Sequence, residues 1–141
     1  MKEIFKPIPN YTDYQVSNIG RIKSNERIDE AGKLRKERVL KPTNNGFGYL
    51  QIRLSKNKNT KIYQVHQLVA IAFLNHKING HKIVVDHINH KKTDNRVENL
   101  RLVTQRQNAS HLKRETSSKY TGVYWSKRDK RWIARIRING V

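Results

Sequence analysis

Two adjacent polar residues, Asp86 and His87, close the β-branched run Ile83-Val84-Val85, and the chain beyond them keeps fixed distances. An Asn-Leu pair, Asn99 and Leu100, stands twelve residues after His87, and Asn108 follows nine residues after Asn99. The β-branched run suits a short buried strand, which puts Asp86 and His87 at its end, where side chains can leave the core. Asn89-His90-Lys91-Lys92-Thr93-Asp94-Asn95 is rich in turn formers and reads as a loop. Leu100-Arg101-Leu102-Val103 alternates as a second strand. Thr104 then opens Thr-x-x-Gln, a capping box that makes Gln105 the first residue of a helix. Asn108 falls in the first turn of that helix or just past it, where packing across the strands can aim it back at Asp86. A strand, loop, strand, helix unit results, with one His, one Asp and two Asn converging.

Carboxylate and amide oxygens are hard donors suited to Mg²⁺ or Mn²⁺, ions that keep waters and take further ligands from substrate phosphates. A neutral imidazole can take a proton from an attacking water near pH 7. Together these are the parts for metal-assisted phosphodiester hydrolysis. Taken singly, Asp86-His87 reads as a turn, Asn99 as a turn cap and Asn108 as a solvated helix position. The joint spacing favours a shared site.

The same residues resemble a known family. Asp86-His87-Ile88, Asn99-Leu100, Val103-Thr104 and Asn108 look like the HNH endonuclease motif with its ββα-metal fold, in the version carried by phage and intron-encoded homing endonucleases. Val65-His66-Gln67-Leu68-Val69-Ala70-Ile71-Ala72-Phe73 resembles the helix that precedes the motif. The resemblance implies that His87 is the general base and that Asp86 and Asn108 are the two protein ligands of one divalent ion, Mg²⁺ or Mn²⁺. Asn99 matches the central asparagine of the catalytic group, which holds the His-bearing loop in shape. The implied products carry 5′-phosphate and 3′-hydroxyl ends. Where the family more often has Asp-Gly this chain has Asn89-His90, and where it often has Trp this chain has Leu102.

Thirty Lys and Arg against eleven Asp and Glu leave a formal charge of +19 on 141 residues, which calls for a polyanionic partner. The basic residues sit mainly in strand-like segments, so double-stranded DNA is expected rather than a membrane surface. Without cysteine, disulfides and Cys-type zinc sites are excluded. No apolar run of membrane-spanning length and no signal peptide are seen, so a cytoplasmic protein of a bacterial host, if phage-encoded, is expected. Three segments follow from charge and pattern. Residues 1–65 form a β-rich DNA-binding motif, residues 66–112 the ββα nuclease core, and residues 113–141 a linker with an incomplete DNA-binding hairpin. The fold class is α+β, with a small antiparallel N-terminal sheet, a helix, the core and a C-terminal β-hairpin.

In the first segment, apolar positions alternate on both sides of Asn18-Ile19-Gly20, giving a tight hairpin with Arg21 and Lys23 opposite Ile22. Tyr-x-Val-Ser-Asn-x-Gly-Arg-Ile-Lys-Ser closely resembles the modular DNA-binding motif at the front of phage HNH endonucleases, with Phe5 standing for its upstream tryptophan. Residues 25–42 read as a solvated loop followed by an edge strand that Pro42 stops. Leu50, Ile52 and Leu54 share one strand face and Gln51 and Arg53 the other, ahead of a basic loop over residues 56–61. Leu68, Val69, Ala72 and Phe73 mark the core face of a helix over 66–75. His66 reads as structural or capping, His76 and His81 as exposed loop. A zinc site from His81, His87 and His90 matches no ligand spacing.

In the third segment, Tyr120–Trp125 and Arg131–Ile138 flank the turn Lys127-Arg128-Asp129-Lys130. Trp132, Ala134, Ile136 and Ile138 alternate with Arg131, Ile133, Arg135 and Arg137, giving an apolar face and an arginine-rich one. A two-stranded ribbon fits the major groove. The Gly-Val, Trp and Ala-x-Ile spacing resembles the DNA-binding domain of plant ethylene-response factors, whose third strand and helix are missing here. The DNA-contact set is Arg21, Lys23, Arg53, Lys91, Lys92, Arg128, Arg131, Arg135 and Arg137. A monomer without an obligate protein partner is expected, and one site per chain should nick one strand. The rival classes are a non-catalytic DNA-binding regulator and an RNA-binding accessory protein.

Overall fold

Alternation in the N-terminal segment becomes strands whose apolar sides meet. The structure, a computed structural model of the chain, describes residues 2–29, 31–78, 80, 82–111, 118–120 and 122–135. It begins with β1 (Phe5–Ile8), β2 (Tyr11–Ser17) and β3 (Ile22–Ser24). The hairpin between β2 and β3 sets Val16 opposite Ile22, and Gly20 turns the chain at φ 85°, a conformation open to glycine because it lacks Cβ. The stretch expected as a solvated loop instead holds a small hairpin of β4 (Arg27–Ile28) and β5 (Leu34–Arg35). Its turn closes because the Asp29 carboxylate accepts the N–H groups of Ala31 and Lys33. The edge strand follows as β6 (Arg38–Leu40), and the four-stranded sheet has the order β1-β2-β3-β6.

A second antiparallel sheet comprises β7 (Thr43–Asn44), β8 (Leu50–Lys56) and β9 (Asn59–Gln64). The basic loop expected over 56–61 is only a two-residue turn, because Asn57 and Lys58 adopt φ 50° and 59° and let the strands pair up to Lys56 and Asn59. Helix α1 (Val65–Phe73) lays Val65, Leu68, Val69 and Ala70 into the interior. These residues join Ile8, Tyr14, Val16, Ile22, Ile52, Leu54 and Leu100 in one core. Each large apolar side chain so buried contributes about 1.5–3 kcal/mol. Both sheets and the strand that follows Asn99 therefore share one interior.

After α1 the chain buries His76, at 7% exposure, against the expectation of an exposed loop; its N–H donates to the Ala70 carbonyl and wraps it over the helix end. His81 lies outside the described residues. β10 (Ile83–His87) pairs antiparallel with β11 (Leu100–Thr104), placing Asp86 opposite Arg101 and His87 opposite Leu100. Here the burial inverts the expectation: Ile83, Val84 and Val85 are half-buried, whereas Asp86 and His87 are buried. The two-stranded ribbon leaves one side of its apolar run uncovered, and its polar end is the part pressed against the rest of the fold.

Helix α2 (Gln105–His111) starts where Thr-x-x-Gln places it. The Thr104 N–H donates to Gln107 Oε1 at 2.9 Å, and the Gln107 N–H donates to Thr104 Oγ1 at 3.2 Å. Thr104→Ala removes one half of this reciprocal cap. It should lower stability by about 1 kcal/mol, read as a shift in the urea midpoint at unchanged slope.

The chain forms two compact units, Met1–Asn108 and Ala109–Val141. In the second, β12 (Val123–Ser126) pairs antiparallel with β13 (Arg131–Ala134), with Trp125 opposite Trp132. The two indoles meet edge to face, centroids 5.5 Å apart. Gly122 sits at φ 81°, and a Cβ there would lie 2.6 Å from the Arg135 carbonyl oxygen, so glycine is required. On β13 the half-covered position is Ile133, while Trp132 and Ala134 of the expected apolar face are exposed. Arg137, Ile136, Ile138 and linker residues 113–117 lie outside the described residues. No described helix is long and apolar enough to cross a membrane.

Candidate active site

The buried end of β10 holds two different environments side by side. Across the ladder, Asp86 meets Arg101, whose Nε and Nη2 donate to its Oδ2 at 2.8 and 2.7 Å. Asp86 is 8% exposed, and burying a carboxylate without a partner for its charge is costly, a cost that Arg101 offsets. His87, 5% exposed, lies instead against rings. The centroid of His66 is 5.0 Å away, edge to face, and that of Tyr49 is 6.0 Å away. Lys92 caps this cluster from outside, its ammonium 4.8 Å from the Tyr49 centroid and bonded to the Phe47 carbonyl at 3.0 Å.

The loop after His87 is tied at both ends by Asn99, which sits in a 3₁₀ turn, Val97–Asn99. Its Oδ1 accepts the Asn89 N–H at 3.0 Å, its Nδ2 donates to the Asp94 carbonyl at 2.8 Å, and its own carbonyl accepts the Ile88 N–H at 2.9 Å. Inside the loop, Asp94 accepts from Arg96 and from the Asn89 amide, and Arg96 first among these partners holds its carboxyl well below the usual carboxylate range. His90, standing where the resembled family favours glycine, adopts φ 61°. That left-handed conformation costs an L-residue about 1–2 kcal/mol, so the loop's other ties hold it in place.

Four participants were not apparent from sequence. Asn95, 4% exposed, sets its Oδ1 3.2 Å from His87 Nε2, and its Nδ2 faces the Thr93 carbonyl at 3.4 Å. His66 is buried, caps no helix end, and its Nδ1 has no hydrogen-bond partner among the described residues. Burial first, then repulsion from His87 and His76, push its pKa down to about 3, so this imidazole is neutral. Tyr49 and Arg101 complete the set. The facing of Arg101 to Asp86 follows from antiparallel register alone and was within reach of counting. His66 and Tyr49 reach His87 from distant segments, whereas Asn95, eight residues after His87, stood unmarked in a loop of turn formers.

Asn108 is half-buried in the first turn of α2, and no hydrogen bond joins it to Asp86 among the described residues. Among the described residues, no three His, Asp or Glu side chains gather closely enough to hold an ion. Asp86 at the end of β10 offers one carboxylate, and Asn108 on α2 one amide. This set fits an ion that draws most of its ligands from water and phosphate, the habit of Mg²⁺.

Of the basic residues expected on DNA, several are already engaged. Arg21 is paired with Glu3, and Lys23 reaches Glu37 at 3.1 Å and lies over the Phe5 ring at 5.1 Å. Arg128 pairs with its neighbour Asp129. Lys91, Arg131 and Arg135 are exposed. Arg53 lies with Arg38 and Lys41 along a cleft of about 470 Å³ between β6 and β8, and none of the three bonds another described residue through its side chain.

Residues 3–55 match the NUMOD4 motif, and residues 63–110 match the HNH endonuclease family. An uncharacterized HNH endonuclease of Acanthamoeba polyphaga mimivirus, L247, is 37% identical over 112 residues, covering 77% of this chain and 26% of the relative. The DNA endonuclease I-HmuI of Bacillus phage SP01 is 39% identical over 108 residues, covering 76% of this chain and 56% of the relative. A solved structure of I-HmuI, described as DNA binding and cleavage by the HNH homing endonuclease, superposes with a TM-score of 0.62 at 37% identity, covering 77% of this chain and 56% of that one. The chain thus spans from about a quarter to about half the length of these relatives. With an HNH domain set behind a NUMOD4 motif, the chain belongs to the HNH endonucleases.

Proposed function

We propose that the protein is a metal-dependent DNA endonuclease of the HNH homing type, which hydrolyses one phosphodiester bond per encounter and so nicks double-stranded DNA. The observation that carries this reading is a buried, neutral-walled imidazole, His87, beside the charge-compensated carboxylate of Asp86 at one strand end. His87 accepts the proton of the attacking water. Because Asn95 Nδ2 faces a carbonyl, its Oδ1 faces His87 and accepts from Nε2, which leaves the Nδ1 lone pair for that proton. Asn99 holds the loop that carries His87's neighbours. Asp86 and Asn108 are the side chains that would hold the Mg²⁺ or Mn²⁺ ion. Bound there, such an ion stabilises negative charge on the phosphate and on the leaving 3′ oxygen. Arg101 balances Asp86 before DNA and ion arrive and is displaced toward the phosphates afterwards.

The uncommitted cations supply the grip. Arg38, Lys41 and Arg53 are available to phosphates, whereas Arg21 spends its charge on Glu3. Arg38→Ala and Arg53→Ala should each weaken duplex binding and reduce the slope of log K against log salt by about 1, while Arg21→Ala changes the slope little. The exposed Arg131 and Arg135 of the C-terminal hairpin add a second contact. A monomer suffices for a nick.

Supercoiled plasmid incubated with Mg²⁺ or Mn²⁺ tests the proposal. Metal-dependent conversion to open circles by the wild type, lost in His87→Ala, supports it. Equal binding without cutting by either protein supports a non-catalytic DNA-binding regulator instead, and preference for structured RNA in competition supports an RNA-binding accessory.

A further inference from the structure

The N-terminal motif does more than precede the HNH domain, for its hairpin turn is built into the wall of the catalytic loop. Ser17 and Gly20 close the turn, the Gly20 N–H donating to the Ser17 carbonyl at 3.0 Å. Asn18 beside them is 4% exposed and fully committed. Its Oδ1 accepts the Ile4 N–H and its Nδ2 donates to the Lys2 carbonyl, which locks the turn to the start of the chain. The Asn18 carbonyl then reaches out of the motif and accepts the N–H of Val97 at 2.8 Å. Gly20 lies flat against Asn95: a Cβ added there would stand 2.8 Å from Asn95 Cβ and 3.4 Å from its carbonyl oxygen. Positive φ and close approach thus both demand glycine at this position, and the residue it presses on is the one bonded to His87.

The geometry points to Asn95 as the positioning residue of His87, seated by the Asn18–Gly20 turn, so that the N-terminal motif completes the nuclease site. The inference rests on the reading of His87 as the general base. A neutral imidazole carries its proton on one nitrogen or the other, and only the Nε2–H form leaves Nδ1 able to take a proton from water. The Asn95 oxygen selects that form, and the His66 and Tyr49 rings restrict rotation of the imidazole about its bond to the chain. Asn95 in turn is placed from outside the HNH segment, by backbone atoms some 75 residues earlier in sequence.

The test compares Asn95→Leu, which keeps shape and loses the acceptor, with Asn95→Asp, which keeps an acceptor oxygen in the same place. Nitrogen-15 spectra of imidazole-labelled full-length protein, without DNA or metal, report the His87 tautomer. Single-turnover plasmid nicking and duplex affinity are measured beside them. The wild type should show the Nε2–H form. Asn95→Leu should show mixed tautomers, with cleavage slower by about 10–100-fold and duplex affinity unchanged within about twofold, as for other partners that orient a working histidine. Asn95→Asp should restore the Nε2–H form and most of the rate. Gly20→Ala, whose methyl presses on Asn95, should reproduce the mixed spectrum in its folded fraction, which is the population these signals read. Asn95→Leu retaining both tautomer and rate overturns the role of Asn95. A Gly20→Ala spectrum identical to wild type overturns the seating by the turn. A wild type that cuts no DNA would refute the nuclease reading while leaving the tautomer result to stand or fall separately.

Discussion

His87→Ala should reduce metal-dependent nicking by about a thousandfold, within the 10²–10⁴ range that a positioned general base supplies, and leave duplex affinity unchanged within about twofold. The affinity survives because the cations proposed to hold phosphates, Arg38, Lys41 and Arg53, lie in the cleft between β6 and β8, whereas His87 is enclosed by Tyr49, His66 and Asn95. Truncation leaves a small void among those rings, so a modest fall in stability accompanies the change. Rates are therefore compared well below the variant's unfolding midpoint. Loss of rate together with loss of binding would assign His87 to DNA contact rather than to proton transfer.

The second large effect is on stability. Unfolding should become easier as pH falls from 7 to 4, by roughly 3 kcal/mol at pH 4, because His66 resists protonation in the folded protein. Its folded pKa is about 3, set first by burial and then by His87 and His76, against about 6.5 in an unfolded chain. Between those values the unfolded chain binds the extra proton. Stability is complete above the unfolded pKa and is lost as pH drops toward the folded one. His76, also lowered by burial, acts in the same direction. Asp94 joins only below pH 4, because its carboxylate is stabilised by Arg96 and the unfolded value is itself near 3.9. Urea midpoints at pH 7, 5.5 and 4 measure the slope. His66→Phe, an apolar ring in the same place, should flatten most of it, and a slope unaffected by that change would remove His66 as its source.

What sequence made legible was local. Thr104 and Gln107 are three apart, so their reciprocal cap needs nothing beyond one turn of helix, and it forms where the pattern puts it. Tyr14, Val16 and Ile22 alternate across a four-residue turn, and the hairpin follows. The α+β architecture, with its N-terminal sheets, preceding helix and C-terminal hairpin, rests on such signals. The burial of His66 and His76 was not legible, because it depends on α1 packing against strands from both ends of the unit. Asn95 looked like one more turn former. Its role emerges only when Gly20 arrives beside it, and Gly20 itself had already been explained by its turn. Likewise the basic face of the first hairpin was visible, but Glu3 and Glu37, which occupy Arg21 and Lys23, are fixed by sheet neighbours rather than by spacing.

The most direct test places the metal. Crystals of the full chain with a nicked duplex and Mn²⁺, measured at the manganese absorption edge, should give one anomalous peak held by the Asp86 carboxylate and the Asn108 amide oxygen, with Arg101 swung off Asp86 and His87 Nδ1 facing the phosphate. A peak bound elsewhere, or Asn108 turned away from Asp86 with DNA in place, would contradict the site proposed for this chain.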